Sequence, residues 1–339
     1  MAKSILKVDR LNKDFQVKSQ NKLFSKPTSV RVLSNVSFEL MEGETLSIVG
    51  ESGCGKTTLG RCIVRGMDAT SGSVYYHPET GEQVDFLGLR GKEFKKYRKD
   101  IQMIFQDPFS SLSPRMSVYD IIAEPLLANF KLSKSELDEK ITQIAQQTGL
   151  NASYLDRYPH AFSGGQRQRI AIARSLISQP RLIVCDEAVS ALDVSIKAQI
   201  INLLKDLQEQ LQITYIFISH DLSIVQNISD RVAVMHLGKI VELAPVDALF
   251  DDPLHPYTEA LLSAVPEPDP NVKKERIILE GEVPNPANPP SGCHFHPRCR
   301  YKTDKCMREE PELQAITEEH YAACHYASQL VLRGVTHES

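Results

Sequence analysis

The chain has 339 residues, with 39 Lys+Arg against 43 Asp+Glu for a formal net charge of −4, 42% hydrophobic residues and no Trp. That length accommodates one large domain with an appendage, or two domains, and the near-balance of charge argues against nucleic-acid binding through bulk positive potential. No run approaches the ~18 consecutive apolar residues of a membrane span and the first 30 residues lack the apolar core of a secretory signal, so the chain is expected in the cytoplasm, meeting a membrane only through a partner.

The chain opens with Lys3, Lys7, Arg10, Lys13, Lys18, Lys22 and Lys26 against Asp9 and Asp14, a solvated edge rather than an interaction surface. Residues 45–49, 101–105, 182–185 and 213–219 are short, β-branched and almost unbroken in apolarity, the pattern of strands buried on both faces. Between them lie amphipathic helices. Residues 133–149 form one, with Ser133 and Glu136 in capping-box spacing, Leu137, Ile141, Ile144 and Ala145 on one face and Gly149 as the stop. Ile196, Ile200, Leu203, Leu204, Leu207 and Leu211 mark another. Such alternation predicts an α/β core with a mainly parallel sheet. Residues 232–234 and 240–243 then read as a hairpin about Gly238, and seven prolines between 266 and 290 read as an extended connector. A domain boundary is therefore expected near residue 265, and there is no internal repeat.

Three motifs carry chemistry. Gly50-Glu51-Ser52-Gly53-Cys54-Gly55-Lys56-Thr57 has the P-loop pattern, follows a predicted strand and opens an apolar helix containing Leu59, Ile63 and Val64. Its glycines turn successive amides inward on a β-phosphate, the helix N-terminus adds its positive end, Lys56 bridges the outer phosphates and the Thr57 hydroxyl ligates Mg²⁺. Ser52, Gly53, Cys54, Gly55, Lys56, Thr57 and Thr58 are thus the candidate phosphate-binding positions. The apolar run 182–185 ends in Asp186 and Glu187, where Asp186 suits a hydrated Mg²⁺ and Glu187 suits a general base acting on water. Ser163-Gly164-Gly165-Gln166, preceding a helical stretch, is a second anion site with no phosphate of its own.

With these motifs in this order the sequence resembles the ABC ATPases. The resemblance implies a P-loop NTPase cassette over residues 1–265, with a mainly parallel core sheet, an antiparallel β subdomain and an α-helical signature subdomain at about 107–178. A small Cys-rich C-terminal domain over 266–339 follows. It also implies a head-to-tail dimer, in which the signature residues Ser163, Gly164, Gly165 and Gln166 close on ATP held by a partner's P-loop. Gln106 matches the glutamine that reaches Mg²⁺ and the attacking water. Residues 190–193 match the loop crossing the dimer seam, His220 matches the switch histidine at the γ-phosphate, and Phe15 matches the adenine-stacking aromatic.

The run from Glu42 to Arg61, the stretch from Gln106 to Met116, the 255–258 sequence His-Pro-Tyr-Thr and the cysteine-bearing tail are similar to ATPase subunits of dipeptide and oligopeptide importers. The Leu59-Gly60-Arg61 continuation is similar to the F-type member of the two ATPases that such importers carry. This implies a second, related ATPase, two transmembrane permease subunits and an extracytoplasmic substrate-binding protein as partners, a peripheral position on the cytoplasmic face of the inner membrane, and no nucleic acid. Similar cassettes serve nickel, glutathione or oligosaccharides, and a soluble ABC ATPase outside transport is a further alternative. Departures from the family pattern are Phe162 for leucine, Thr57 for serine, and Cys185 within its strand.

Seven cysteines in a cytoplasmic chain are not expected to form a disulfide framework. Cys54, Cys62 and Cys185 are scattered, whereas Cys293, Cys299, Cys306 and Cys324 cluster in the tail beside His294, His296, His320 and His325. Their spacing lacks the short knuckles of structural zinc sites, while four thiolates suit a tetrahedral cluster as well as zinc. The importer resemblance implies a [4Fe–4S] cluster, with zinc or free or oxidised thiols as the alternatives; a bound group would pin a domain too small to fold on its own core. Cys54, among the P-loop amides, is a candidate for a thiol of lowered pKa.

Overall fold

The computed structural model describes residues 3–17, 28–266, 276–282 and 284–335; Lys18, Lys22 and Lys26 of the basic opening lie outside them. The chain divides into two compact units, one built from residues 1–5, 40–45 and 76–218, the other from 6–39, 46–75 and 219–339.

In the first unit, strands Ile101–Ile104, Leu182–Asp186 and Thr214–Ile218 run parallel, with Ile101 opposite Leu182 and Asp186 opposite Ile218. Every residue of Leu182–Asp186 and Thr214–Ile218 is buried, which is why these strands read as unbroken apolar runs rather than as alternating ones. Four helices, Pro108–Ser111, Val118–Asn129, Lys134–Gln147 and Gly164–Leu176, fall in the segment expected to be helical. The helix after Ser133 carries both halves of its capping box and buries Leu137, Ile141, Ile144 and Ala145. It stops at Gly149, whose φ of 68° needs no side chain. In Val194–Leu211 the buried stripe is Ile200, Ile201, Leu204 and Leu207; Leu211, expected on it, is exposed in the last turn.

In the second unit, Thr45–Val49 runs parallel to Arg231–His236. The latter turns through Leu237 (φ 43°) and Gly238 (φ 77°) into antiparallel Lys239–Pro245, the doubly left-handed turn that a two-residue hairpin favours. The C-terminal segment extends this sheet: Tyr321–Ala322 pairs with Lys239–Pro245, and Gln314–Ala315 pairs with Tyr321–Ala322. A long strand, Ser4–Val17, lies between Thr28–Met41 and Ser71–Tyr76. The core of this unit joins Val49, Val232, Val234, Phe250, Tyr257 and Phe295, with Cys293 and Cys299 packed against it. Residues on the C-terminal side of position 265 thus share a core with the strand that leads into the P-loop.

Buried Glu242 fastens the tail to this sheet. Its carboxylate accepts hydrogen bonds from the amides of Leu254 (2.7 Å) and His255 (3.0 Å) and from the Thr258 hydroxyl, and it meets Nε2 of His320 at 2.7 Å. A buried carboxylate is tolerable only with such saturation.

Candidate functional site

The P-loop belongs to the second unit. Strand Thr45–Val49 delivers Gly50, and Gly50, Gly53 and Gly55 take φ values of 147°, 80° and 108°. A Cβ at Gly50 would lie 2.2 Å from the Met235 carbonyl oxygen and one at Gly55 would lie 2.8 Å from that of Val32, whereas Gly53 faces open space. Two glycines therefore let the loop pack against its own unit, and the third leaves the cradle open for a ligand. Lys56 opens the helix Lys56–Ile63 and is only 5% exposed; its Nζ donates to the carbonyl oxygens of Gly50 (2.7 Å) and Glu51 (3.0 Å). Cys54 is buried, and that burial pushes its thiol up, outweighing the opposite pull of Lys56. The lowered pKa expected at the helix end does not arise, because the thiol points into the fold and not toward solvent. Cys62 is buried likewise and pushed up to about 11.

The carboxylates belong to the first unit. Asp186 ends its strand fully buried. Glu187 then takes φ 46°, a left-handed conformation costing a non-glycine residue ~1–2 kcal/mol. It is held there by its amide, which donates to the Ile218 carbonyl at 3.0 Å, and by its carbonyl, which accepts from the amide and hydroxyl of Ser190, both at 3.0 Å. The bend presents the Glu187 carboxylate to Gln106, whose Nε2 donates to Oε2 at 2.9 Å. Two residues 81 apart in sequence thus meet at the ends of adjacent parallel strands, where open α/β sheets place their ligands. His220, two residues beyond Thr214–Ile218, is exposed.

Ser163 caps the helix Gly164–Leu176 through a complete capping box with Gln166, so the amides of Gly164 and Gly165 open a helix N-terminus. A Cβ on Gly165 would come within 2.6 Å of Ile196 Cγ2, and one on Gly164 within 3.5 Å of Leu192 Cδ2; the glycines permit close approach of the 190–193 loop and the helix after it. The arginines of this helix bind the helical segment together. Arg167 donates to the Pro159 carbonyl (2.8 Å), Arg169 to Thr148 (2.8 Å) and Arg174 to Ser111 (3.0 Å) and to the Glu124 carboxylate (2.7 Å). Phe162 is buried edge-on to Tyr154, and Cys185 is buried within its strand. Phe15 is half-buried on Ser4–Val17 with the Lys13 ammonium 5.0 Å from its ring centroid.

In the tail, Cys293, Cys299, Cys306 and Cys324 line one cavity of about 20 Å³, with His296 and His325 also on its wall. The Cys293 amide donates to the Cys306 carbonyl at 2.8 Å. Burial pushes Cys299 up to about 12, Cys324 up to about 11, and Cys293 in the same direction. Among the described residues no three His, Cys, Asp or Glu side chains form a metal-holding group. His320, grouped with the cysteines in sequence, is instead taken up by Glu242, and His294 lies in a separate cavity with His236.

Sequence reasoning passed over Arg298 and Glu242. Arg298 forks onto the Glu51 carboxylate of the P-loop at 2.6 and 2.9 Å. Its only signal was a single arginine between Cys293 and Cys299.

A model of the ABC transporter family matches residues 33–190, and one described as the oligopeptide/dipeptide transporter C-terminal region matches residues 241–306. The chain is 50% identical to the dipeptide transport ATP-binding protein DppF of Haemophilus influenzae, across 89% of this chain and 91% of that protein. It is 49% identical to the oligopeptide transport ATP-binding protein AppF of Bacillus subtilis, across 96% and 98% respectively. The oligopeptide transport ATP-binding protein OppF of Escherichia coli is 48% identical across 92% and 93%. Among solved structures, the ATP-binding cassette MJ0796, in a dimeric post-hydrolysis state with ADP and Pi, superposes with a TM-score of 0.62 at 27% identity, covering 71% of this chain and 99% of that one.

Proposed function

The chain belongs to the ATP-binding subunits of dipeptide and oligopeptide ABC transporters, and on that premise we propose that it hydrolyses ATP to drive peptide import through a membrane complex. The observation that carries the catalytic part is the 2.9 Å hydrogen bond from Gln106 to Glu187, which joins a candidate base to a candidate water-positioning amide. In this reading Ser52, Gly53, Cys54, Gly55, Lys56, Thr57 and Thr58 bind the phosphates, Phe15 stacks on adenine and His220 meets the γ-phosphate. Thr57, Gln106 and Asp186 offer hydroxyl, amide and carboxylate oxygens, the hard donors that Mg²⁺ prefers. Bound Mg²⁺ would neutralise charge developing on the phosphates.

Ser163, Gly164, Gly165 and Gln166 are assigned to ATP carried by a second, related ATPase. Phe105, Phe109, Leu127 and Phe130, all exposed on or just before the helical segment, are assigned to a permease pair that receives cargo from an extracytoplasmic binding protein. Among the described residues no helix is long and apolar enough to cross a membrane, which fits a peripheral subunit on the cytoplasmic face of the inner membrane. Residues 1–265 form the cassette in this reading, and residues 266–339 form the Pro-rich linker and Cys-rich C-terminal domain.

Cys293, Cys299, Cys306 and Cys324 are assigned to a [4Fe–4S] cluster, with zinc as the alternative. What supports this is their shared cavity; thiolates are the ligands both groups take, and the group would pin the tail. Anaerobically purified chain should carry about four irons and four sulfides; one zinc and no sulfide would replace the cluster with zinc.

The transport reading is tested by ATP hydrolysis of the complex reconstituted in lipid with its binding protein and titrated with di- to octapeptides. Stimulation by peptides is expected. A response only to nickel, glutathione or an oligosaccharide would overturn the cargo, and the absence of any co-purifying permease would overturn transport.

A further inference from the structure

Residues 293–299 form a closed turn between two cysteines. The His296 amide donates to the Cys293 carbonyl and the Arg298 amide to the Phe295 carbonyl, both at 3.0 Å. One of its side chains reaches the P-loop directly and another reaches it through Tyr257. Phe295 packs on Tyr257 with ring centroids 5.3 Å apart, and the Tyr257 hydroxyl in turn accepts the Glu51 amide at 2.8 Å. Arg298, its side chain 7% exposed, clamps the Glu51 carboxylate with both terminal guanidinium nitrogens. Backbone and side chain of one P-loop residue are therefore both held by the second unit's C-terminal half. Lys56 leans on the same residue, donating to the Glu51 carbonyl at 3.0 Å.

A carboxylate beside a phosphate cradle opposes the ligand unless its charge is cancelled. A planar bidentate arginine cancels it and also fixes its direction. We propose that Arg298 is a positioning residue for nucleotide binding: it neutralises Glu51 and holds the P-loop backbone in register for the phosphates, so that the cysteine-bearing segment sets the nucleotide affinity of the P-loop. The proposal rests on the reading of that loop as the ATP site.

The test uses the full-length chain and equilibrium titration with Mg-ATP and Mg-ADP, alongside steady-state hydrolysis by the assembled complex. Saturable binding to the unmodified chain is expected; its absence would sink the ATP reading itself and this inference with it. Arg298→Ala should weaken nucleotide binding about tenfold or more, and should raise KM for ATP more than it lowers kcat. Adding Glu51→Gln to Arg298→Ala should recover most of the lost affinity, because the uncancelled charge has gone. A purely structural role for Arg298 would not be rescued by that second change. Arg298→Gln is shorter and uncharged but keeps a polar amide in the same pocket, and it carries the same two expectations where truncation unfolds the tail. Unaltered affinity in the folded single variants would overturn the proposal, as would a double variant as weak as the single one.

Discussion

At Glu187 the backbone leaves a buried strand and turns left-handed, a conformation that persists because Ile218 and Ser190 hold its amide and carbonyl. The cost is local and the gain is direction: the carboxylate meets Gln106 instead of continuing the strand's alternation. Glu187→Gln keeps an oxygen that accepts from Gln106 but removes the base. We expect kcat for ATP to fall roughly 10²–10⁴-fold with nucleotide affinity nearly unchanged. Steady-state hydrolysis beside a binding titration checks this, and normal turnover would remove Glu187 from the role. Cys54 teaches a complementary lesson. Sequence places it at a helix N-terminus, where a thiol pKa falls, but its burial decides the direction and raises it; nothing local in the sequence reports that burial.

Among the elements, the helix Gly164–Leu176 shows why small residues stand at its start. Its capping box joins Ser163 and Gln166, three apart. The need for Gly165 is different, since it comes from Ile196 on another helix. Gly165→Ala would push a methyl to 2.6 Å from the Ile196 side chain, and overpacking of this kind typically costs ~1–3 kcal/mol. Ile196→Ala in the same chain should return part of that loss. Denaturant unfolding of the single and double variants measures the coupling, and strictly additive effects would refute the contact. The hairpin about Gly238 and the helix after Ser133 were legible because each is written in residues a few positions apart.

For the whole molecule, the second unit is tied by contacts that no local pattern announces. Glu242 meets His320 across 78 residues, and Arg298 meets Glu51 across 247. In the same unit His236, packed on Tyr257 and Phe295, is 1% exposed, with no hydrogen-bond partner for its Nε2 among the described residues and a pKa pulled down to about 4 by burial. Its folded pKa lies below the ordinary 6.5, so above that pH it is neutral in both states and contributes no pH dependence. As pH falls from about 6.5 toward 4 the unfolded chain takes the proton first, and stability is lost by up to ~3 kcal/mol at the acid end. The thermal midpoint should therefore drop between pH 7 and pH 5, and drop less in His236→Gln. An equal drop in both would show that other groups carry the acid sensitivity.

The P-loop, the paired carboxylates, the signature turn, and the family and order of elements they imply were all present in the linear chain, because phosphate chemistry requires particular residue types at fixed short spacings. Tertiary structure alone decided that Glu187 bends toward Gln106, that Cys54 is buried with its thiol pKa pushed up, that four tail cysteines share a cavity while His320 leaves them for Glu242, and that Arg298 closes on the P-loop. Those outcomes depend on burial and on pairings between distant segments, and both are properties of the packed chain rather than of any stretch of sequence.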